Sequence, residues 1–379
     1  MRLVNLTQPD MENWDSPRTL LFYTTQAYNP SQLSIIRQKF PDLTIMGMSS
    51  FHGMFLPEGF KRGAFGVLFE ASDNISMRAM IIDLTNVSPE NVRRCVAHNL
   101  ELWAAEKDLP SQFFIHTTQG PEERVIEGIH DAFSETVKVF GATAGHDKFL
   151  PRAHIFMNET STHCGVLIIR LFSEHLKYFI TCGGYMPTLY QGTVTQAHAR
   201  IIDTIDNRPA AEVYDEWTQG MFHAYLERGG DLPRSAGLYP LARTLKTDPE
   251  CSYWLSHPYR SDRLEKNLYL FSEIPTGSQI CMMRGTEETL KTHMADTIAN
   301  SLAQVNRTHV IGAFILYCAG CASIIAENMV EVCQTAAKAF GDIPFLGCCS
   351  FGEQGRTKHA NQNYHGNMMT EIILVMKDV

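Results

Sequence analysis

Two distant segments of this chain repeat one another: 40–51 reads FPDLTIMGMSSF and 340–351 reads FGDIPFLGCCSF. Phe, Asp, Gly, Ser and Phe recur in register, and Leu43, Ile45 and Met46 align with Ile343, Phe345 and Leu346. A looser third copy, TVKVFGATAG, spans 136–145. Each is an apolar run ending in glycine and small residues, the pattern of a buried strand entering a loop. Upstream of each copy stands a second apolar run: LLFYTTQ at 20–26, FFIHTTQ at 113–119 and AFILYCAG at 313–320. A helical pattern fills each interval, over Pro30–Phe40, Glu122–Glu135 and Ala322–Phe340. A strand that returns through such a helix is a crossover between parallel strands. The expected fold is α/β, with mixed sheets built from repeated βαβ units, antiparallel additions, and two modules sharing a cleft.

The remaining patterns are less regular. Phe65–Phe69 and Ser76–Leu84 read as strands and Pro89–Leu100 as a helix. Ala153–Asn158, Cys164–Phe172 and Leu176–Cys182 suggest an antiparallel meander. Gln196–Ile205 and Pro209–Arg228 read as helices, the second after the start signal Asn207-Arg208-Pro209. Asn267–Phe271 and Gln279–Met283 are expected strands, Glu287–Gln304 a helix and Thr370–Met376 a closing strand. Gly229–Pro258, rich in Gly, Pro and Ser, is the expected linker between modules at 19–228 and 259–379.

Composition narrows the function classes. With 379 residues, 44% of them hydrophobic, the chain can fill full-sized cores. A net charge of −9 without a Lys/Arg-rich run lacks the footprint of a nucleic-acid binder. No run reaches the ~18 apolar residues of a membrane span. Met1-Arg2-Leu3-Val4-Asn5 turns polar too soon for a signal peptide, so a cytoplasmic protein is expected. Ten scattered cysteines then read as reduced thiols.

Ligands of open α/β sheets bind beyond the carboxyl ends of parallel strands. The repeat places Thr24, Thr25, Gln26, Gly47, Ser49, Ser50, Thr117, Thr118, Gln119, Gly141, Thr143, Gly145 and His146 there. In the second half the same positions hold Tyr317, Cys318, Gly320, Cys321, Gly347, Cys348, Cys349, Ser350 and Glu353. Loops 47–53, 141–147, 318–321 and 347–353 should therefore converge. Phosphate-loop, dinucleotide and zinc-protease motifs are missing. Gly141-Ala142-Thr143-Ala144-Gly145 resembles a nucleophile elbow with Thr, so Thr143 with His146, or Cys318, would serve a hydrolase or thiol transferase. Cys318 and Cys321 with Cys348 or Cys349 have the chemistry of a zinc or redox site, a fourth ligand coming from His359, His365 or Glu353. Buried thiols are the alternative.

These motifs resemble the FIST-domain family, N and C modules in tandem. The resemblance rests on Gly47-Met48-Ser49-Ser50, Val139 to Gly145, Gly192-Thr193-Val194-Thr195, Ile274-Pro275-Thr276-Gly277 and Tyr317-Cys318-Ala319-Gly320. Most specific is Gly347-Cys348-Cys349-Ser350-Phe351-Gly352-Glu353, followed by Tyr364-His365-Gly366-Asn367. Membership implies a non-enzymatic small-ligand sensor, amino acids being one proposed class. A haem-binding, nitric-oxide-sensing subset acts on a separate histidine kinase or cyclic-di-GMP enzyme. The chain departs from the family in carrying His146 where Asp is usual and Cys321 where Arg is frequent. Losing that Arg removes a carboxylate clamp, and the extra His and Cys favour haem. On that reading His365 or His146 is the axial ligand, with Cys318 or Cys348 as thiolate alternatives. Phe351, Tyr317 and Met48 wall the pocket, and Arg284 or Arg356 meets a propionate. A homodimer is compatible with this reading.

Overall fold

The computed structural model describes residues 1–25, 30–106, 111–148, 152–172, 175–245, 253–356 and 362–377. Gln26 and His359 lie outside them. All three crossovers are present. Strands Pro17–Thr24 and Thr44–Ser49 run parallel around helix Pro30–Lys39. Strands Gln112–Thr117 and Lys138–Thr143 run parallel around helix Glu122–Ala132. Strands Val310–Cys318 and Phe345–Ser350 do so around helices Ala319–Ile324 and Met329–Phe340.

Each unit continues in the same way, which the local repeat did not reveal. A hairpin follows the second parallel strand, and a return strand then lies antiparallel beside the first. The return strands are Ala64–Glu70, Gly165–Leu171 and Thr370–Met376. Outside them sit the edge strands Arg2–Asn5, Met77–Asp83 and Leu176–Thr181. The hairpins do not stay in their own sheets. Met54–Leu56 pairs with Gly347 and Cys348 of the third unit. Ile155–Met157 pairs with Met46 to Met48 of the first, and Glu353–Gly355 with Gly141 and Ala142 of the second. Three six-stranded sheets are thereby linked in a ring by cyclic exchange of hairpins.

Alternation along the strands divides the core accordingly. Leu21, Tyr23, Met46, Phe114, Phe140, Phe314, Leu316, Leu346 and Ile373 face inward and share one apolar cluster fed by all three sheets. The opposite faces pack under their own helices, as Ile115 and Val139 do with Val125 and Ile129. In the third unit, an insertion between Met186 and Arg284 folds into a nine-stranded sheet with its own core around Tyr214, Trp217 and Ile280.

Four sequence expectations fail. The supposed helix at 196–205 is strand, Met186–His198 turning back into Ile201–Ile205. Its half-exposed, polar alternation carries little periodic signal; Asp206 and Asn207, both at positive φ, form a hairpin turn, and the helix expected from Pro209 begins at Ala210. The meander is three strands in three different sheets, because burial on both faces leaves register to distant partners. The expected linker is part of the inserted sheet: Leu241–Thr244 pairs with both Tyr253–Ser256 and Gln279–Arg284. The two modules are not separate, since Leu176–Thr181 and Met54–Leu56 both belong to the third unit's sheet. Among the described residues no helix is long and apolar enough to cross a membrane.

Candidate functional site

The strand-end loops do converge, and they interlock. The Gly145 amide donates to Ser49 O (3.0 Å), Phe351 N to Thr143 O (2.9 Å) and Phe51 N to Cys349 O (2.9 Å). Each unit thus ties the next through the same position. The hydroxyls serve this knot. Ser49 Oγ donates to Gly145 O at 2.7 Å, and Ser50 Oγ donates to Gly53 O at 2.7 Å while accepting the Cys349 amide at 2.9 Å. Phe51 and Phe351 meet above it at 5.8 Å, with His146 edge-on to Phe351 at 5.0 Å. Ser49, Ser50, Gly145 and Gly347 therefore act in a packed joint rather than lining an open cleft.

The expected cysteines come together only in part: Cys318 and Cys321 are neighbours with Cys349 nearby, and Cys348 lies apart. Cys348 faces the shared inner core, whereas Cys349 and Cys318 belong to the third unit's outer core. Neighbouring residues in a strand point to opposite faces, which separates the pair. Cys318 Sγ accepts the Met368 amide at 3.0 Å, and Cys321 Sγ sits 3.7 Å from Tyr185 Oη. Burial pushes the Cys318, Cys348 and Cys349 thiols up, so they stay protonated. Among the described residues no three His, Cys, Asp or Glu side chains gather as a metal site. Of the two expected haem ligands, His146 packs edge-on against Phe351 and His365 is enclosed. His365 is 4% exposed, Gly352 presses against its ring, and its Nδ1 is 3.0 Å from Gln354 Nε2. Arg284 is exposed on the inserted sheet, and Arg356 donates to Thr136 O at 2.8 Å. Thr143 does not meet His146; its partners are Thr117, Glu122 and Gln354, so the elbow nucleophile is not assembled. Tyr317 is buried and donates to Leu290 O at 3.3 Å.

The concentrated polarity lies elsewhere, in the joint between the second and third units. By register, Glu353 and Gln354 occupy the positions of Met54 and Phe55 in one exchanged hairpin and Ile155 and Phe156 in the other. Two joints are apolar there; the third buries a carboxyl and an amide. Gln354 Nε2 donates to Thr143 Oγ1 at 2.9 Å, and Thr143 Oγ1 donates to Glu122 Oε1 at 3.1 Å. Arg200, on a turn of the inserted sheet, reaches Glu122 and Glu123 at 2.6 Å each. Burial works against the Arg200 cation, but the two carboxylates more than offset it and raise its pKa. His365 Nε2 lies 3.7 Å from Glu122 Oε1 and has no hydrogen-bond partner. Glu353 accepts from Ser350 Oγ at 2.6 Å, and burial holds its carboxyl well above the usual range.

This seam opens into a cleft of about 480 Å³ between helix Glu122–Ala132, strand Tyr364–Gly366 and the inserted sheet. Its walls include Glu123, Glu127, His130, Glu273, Arg243 and His365. Arg243 lies over the Tyr364 ring at 4.8 Å. Burial lowers its pKa, and among the described residues no carboxylate lies within ion-pair distance. Burial and then Glu123 push the Glu273 carboxyl up. Sequence reasoning reached His365 and Glu353 but missed Glu122, Arg200, Gln354 and Arg243. The doubled Glu122-Glu123 opening a helix after a strand-end loop was the one available signal.

The FIST N domain model matches residues 19–208 and the FIST C domain model residues 210–356. A search of curated proteins finds no match. Among solved structures the chain is similar to a chorismatase, with 10% identity, 98% of this chain and 97% of that one covered, and a TM-score of 0.36. FIST domains are small-ligand-sensing modules of signal transduction, and this chain belongs to the FIST family.

Proposed function

We propose that the cleft between the second and third units is the ligand site of a sensor, and that its ligand is a small zwitterion of the amino-acid class. The carrying observation is Arg243, a partly desolvated guanidinium with no carboxylate partner among the described residues, in a cleft whose other cation, Arg93, is paired with Asp131. A ligand carboxylate supplies its missing bidentate partner. Glu273, half-buried with Arg124 at 3.7 Å, supplies an acceptor for a ligand ammonium. His365 Nε2 at the cleft floor adds a directional contact. Binding here touches helix Glu122–Ala132, the exchanged hairpin and the inserted sheet at once. Occupancy thus alters how these three parts sit together, and a separate signalling protein, such as a histidine kinase, reads the result.

The test is a thermal-shift and calorimetric screen of the full chain against the common amino acids. At least one should bind with one-to-one stoichiometry and raise the melting temperature by a few degrees, about 3 °C for ~1 kcal/mol. Arg243→Met should abolish that shift without lowering the ligand-free melting temperature appreciably. No binder in the panel, or undiminished binding by Arg243→Met, sinks the reading.

A further inference from the structure

The ring of sheets encloses a second polar group, on its inner face. Register makes Tyr23, His116 and Leu316 equivalent, each two residues beyond Leu21, Phe114 and Phe314. Opposite them on the return strands stand Phe65, Leu167 and Glu371. Glu371 therefore occupies a position that is apolar in both other units, as Glu353 does on its hairpin. Tyr23, His116, Glu353 and Glu371 are all 0% exposed.

Hydrogen bonding at this level is incomplete. Neither oxygen of Glu371, neither ring nitrogen of His116, nor the Tyr23 hydroxyl has a hydrogen bond of normal geometry; the Gly141 amide approaches Glu371 and Cys348 approaches Tyr23 without completing one. The groups are neighbours: Tyr23 and His116 rings are 5.6 Å apart, and Glu371 and Cys348 both act electrostatically on Tyr23. A buried polar atom left unpaired costs about 1–3 kcal/mol, and several together are retained only when something satisfies them. Acceptors predominate among them: two carboxylate oxygens, a phenolic oxygen, and one nitrogen of an imidazole that burial keeps neutral, its pKa pushed down to about 3.

We propose that this inner layer is a binding site for one desolvated monovalent cation of potassium or ammonium size, held by Glu371 and Tyr23. The loop knot of Phe51, Gly145 and Phe351 lies beyond this layer, at the strand ends. Without the ion, burial and the Glu353 carboxyl hold a proton on Glu371; the cation takes that proton's place. The ion then links all three units at their common core, independently of the zwitterion cleft.

Thermal unfolding of the full chain decides the matter, in potassium, ammonium and tetramethylammonium chloride at one ionic strength. The wild-type midpoint should be about 3 °C higher in the two small cations than in tetramethylammonium, which is too large to enter. Glu371→Leu, which installs the residue found at the equivalent position 167, should erase the difference. If that variant does not fold, Glu371→Gln keeps the shape and must erase it instead. Equal wild-type midpoints in all three salts, or a difference that survives in the variants, overturns the site.

Discussion

Gly141 sits where two units meet, at φ +146°, and an added Cβ would overlap the Ile115 carbonyl oxygen across the parallel pair. Gly47 stands equally close to Phe22 O, and Gly347 has Ile315 Cβ within 2.7 Å, so all three equivalent positions demand glycine. Gly141→Ala should cost roughly 3 kcal/mol or more by urea unfolding. Gly355→Ala, whose new Cβ would find its nearest neighbour at 3.5 Å, should be tolerated. Equal losses in the two variants would refute the argument. His293 carries a different kind of residue-level constraint. It bonds Thr370 Oγ1 at 3.0 Å, stacks on Tyr317, and burial pushes its pKa down to about 4. The unfolded chain takes up this proton first as pH falls, so the contribution of a neutral His293 is complete above about pH 6.5 and is lost towards pH 4. His293→Gln should flatten the fall of stability over that window by up to about 1.4 kcal/mol per pH unit. An unchanged slope would count against it.

At the scale of elements, the exchanged hairpins hold the ring together, and the third is pinned by one side chain. Asn363 Oδ1 accepts the Val139 amide at 3.1 Å, and its Nδ2 reaches Val137 O and His130 Nε2 at 2.8 Å each. These bonds clamp strand Tyr364–Gly366 to the second unit beside the proposed ligand cleft. Asn363→Ala leaves a buried amide unsatisfied and should cost about 2–3 kcal/mol. Hydrogen exchange at Val139 should speed up well ahead of the amides of the first unit. Uniform acceleration throughout the chain would mean that the hairpin has no such local role.

For the whole molecule, the exchange predicts how it can be cut. The FIST N and FIST C matches divide near residue 209, yet the shared core takes Leu21, Tyr23 and Phe140 from one side and Phe314, Leu316 and Ile373 from the other. A fragment of residues 1–209 would expose that apolar cluster and leave Leu176–Thr181 without its partner strand. It should show no cooperative unfolding transition by circular dichroism. A sharp transition, with near-ultraviolet signals of ordered aromatics, would show instead that the N domain folds alone.

The sequence by itself determined the three crossovers, because each is a local pattern: an apolar run, a helical period, and a second run ending in glycine. It also marked Glu353 and His365, which stand beside a recurring Gly-Ser motif. Only the tertiary structure decided which strand takes which hairpin, since strands buried on both faces read as uniform apolar runs and carry no address. For the same reason a meander was expected where three sheets divide the strands. The inserted sheet was read partly as helix and linker, because half-exposed polar strands joined by tight turns give weak periodicity. The site followed the same logic. Glu122, Arg200, Arg243 and Gln354 come from four separate stretches of chain, and nothing in their local neighbourhoods distinguishes them from solvated charges. Their meaning comes from burial against one another, and the unpaired Arg243 and Glu371 show it only when their surroundings are known.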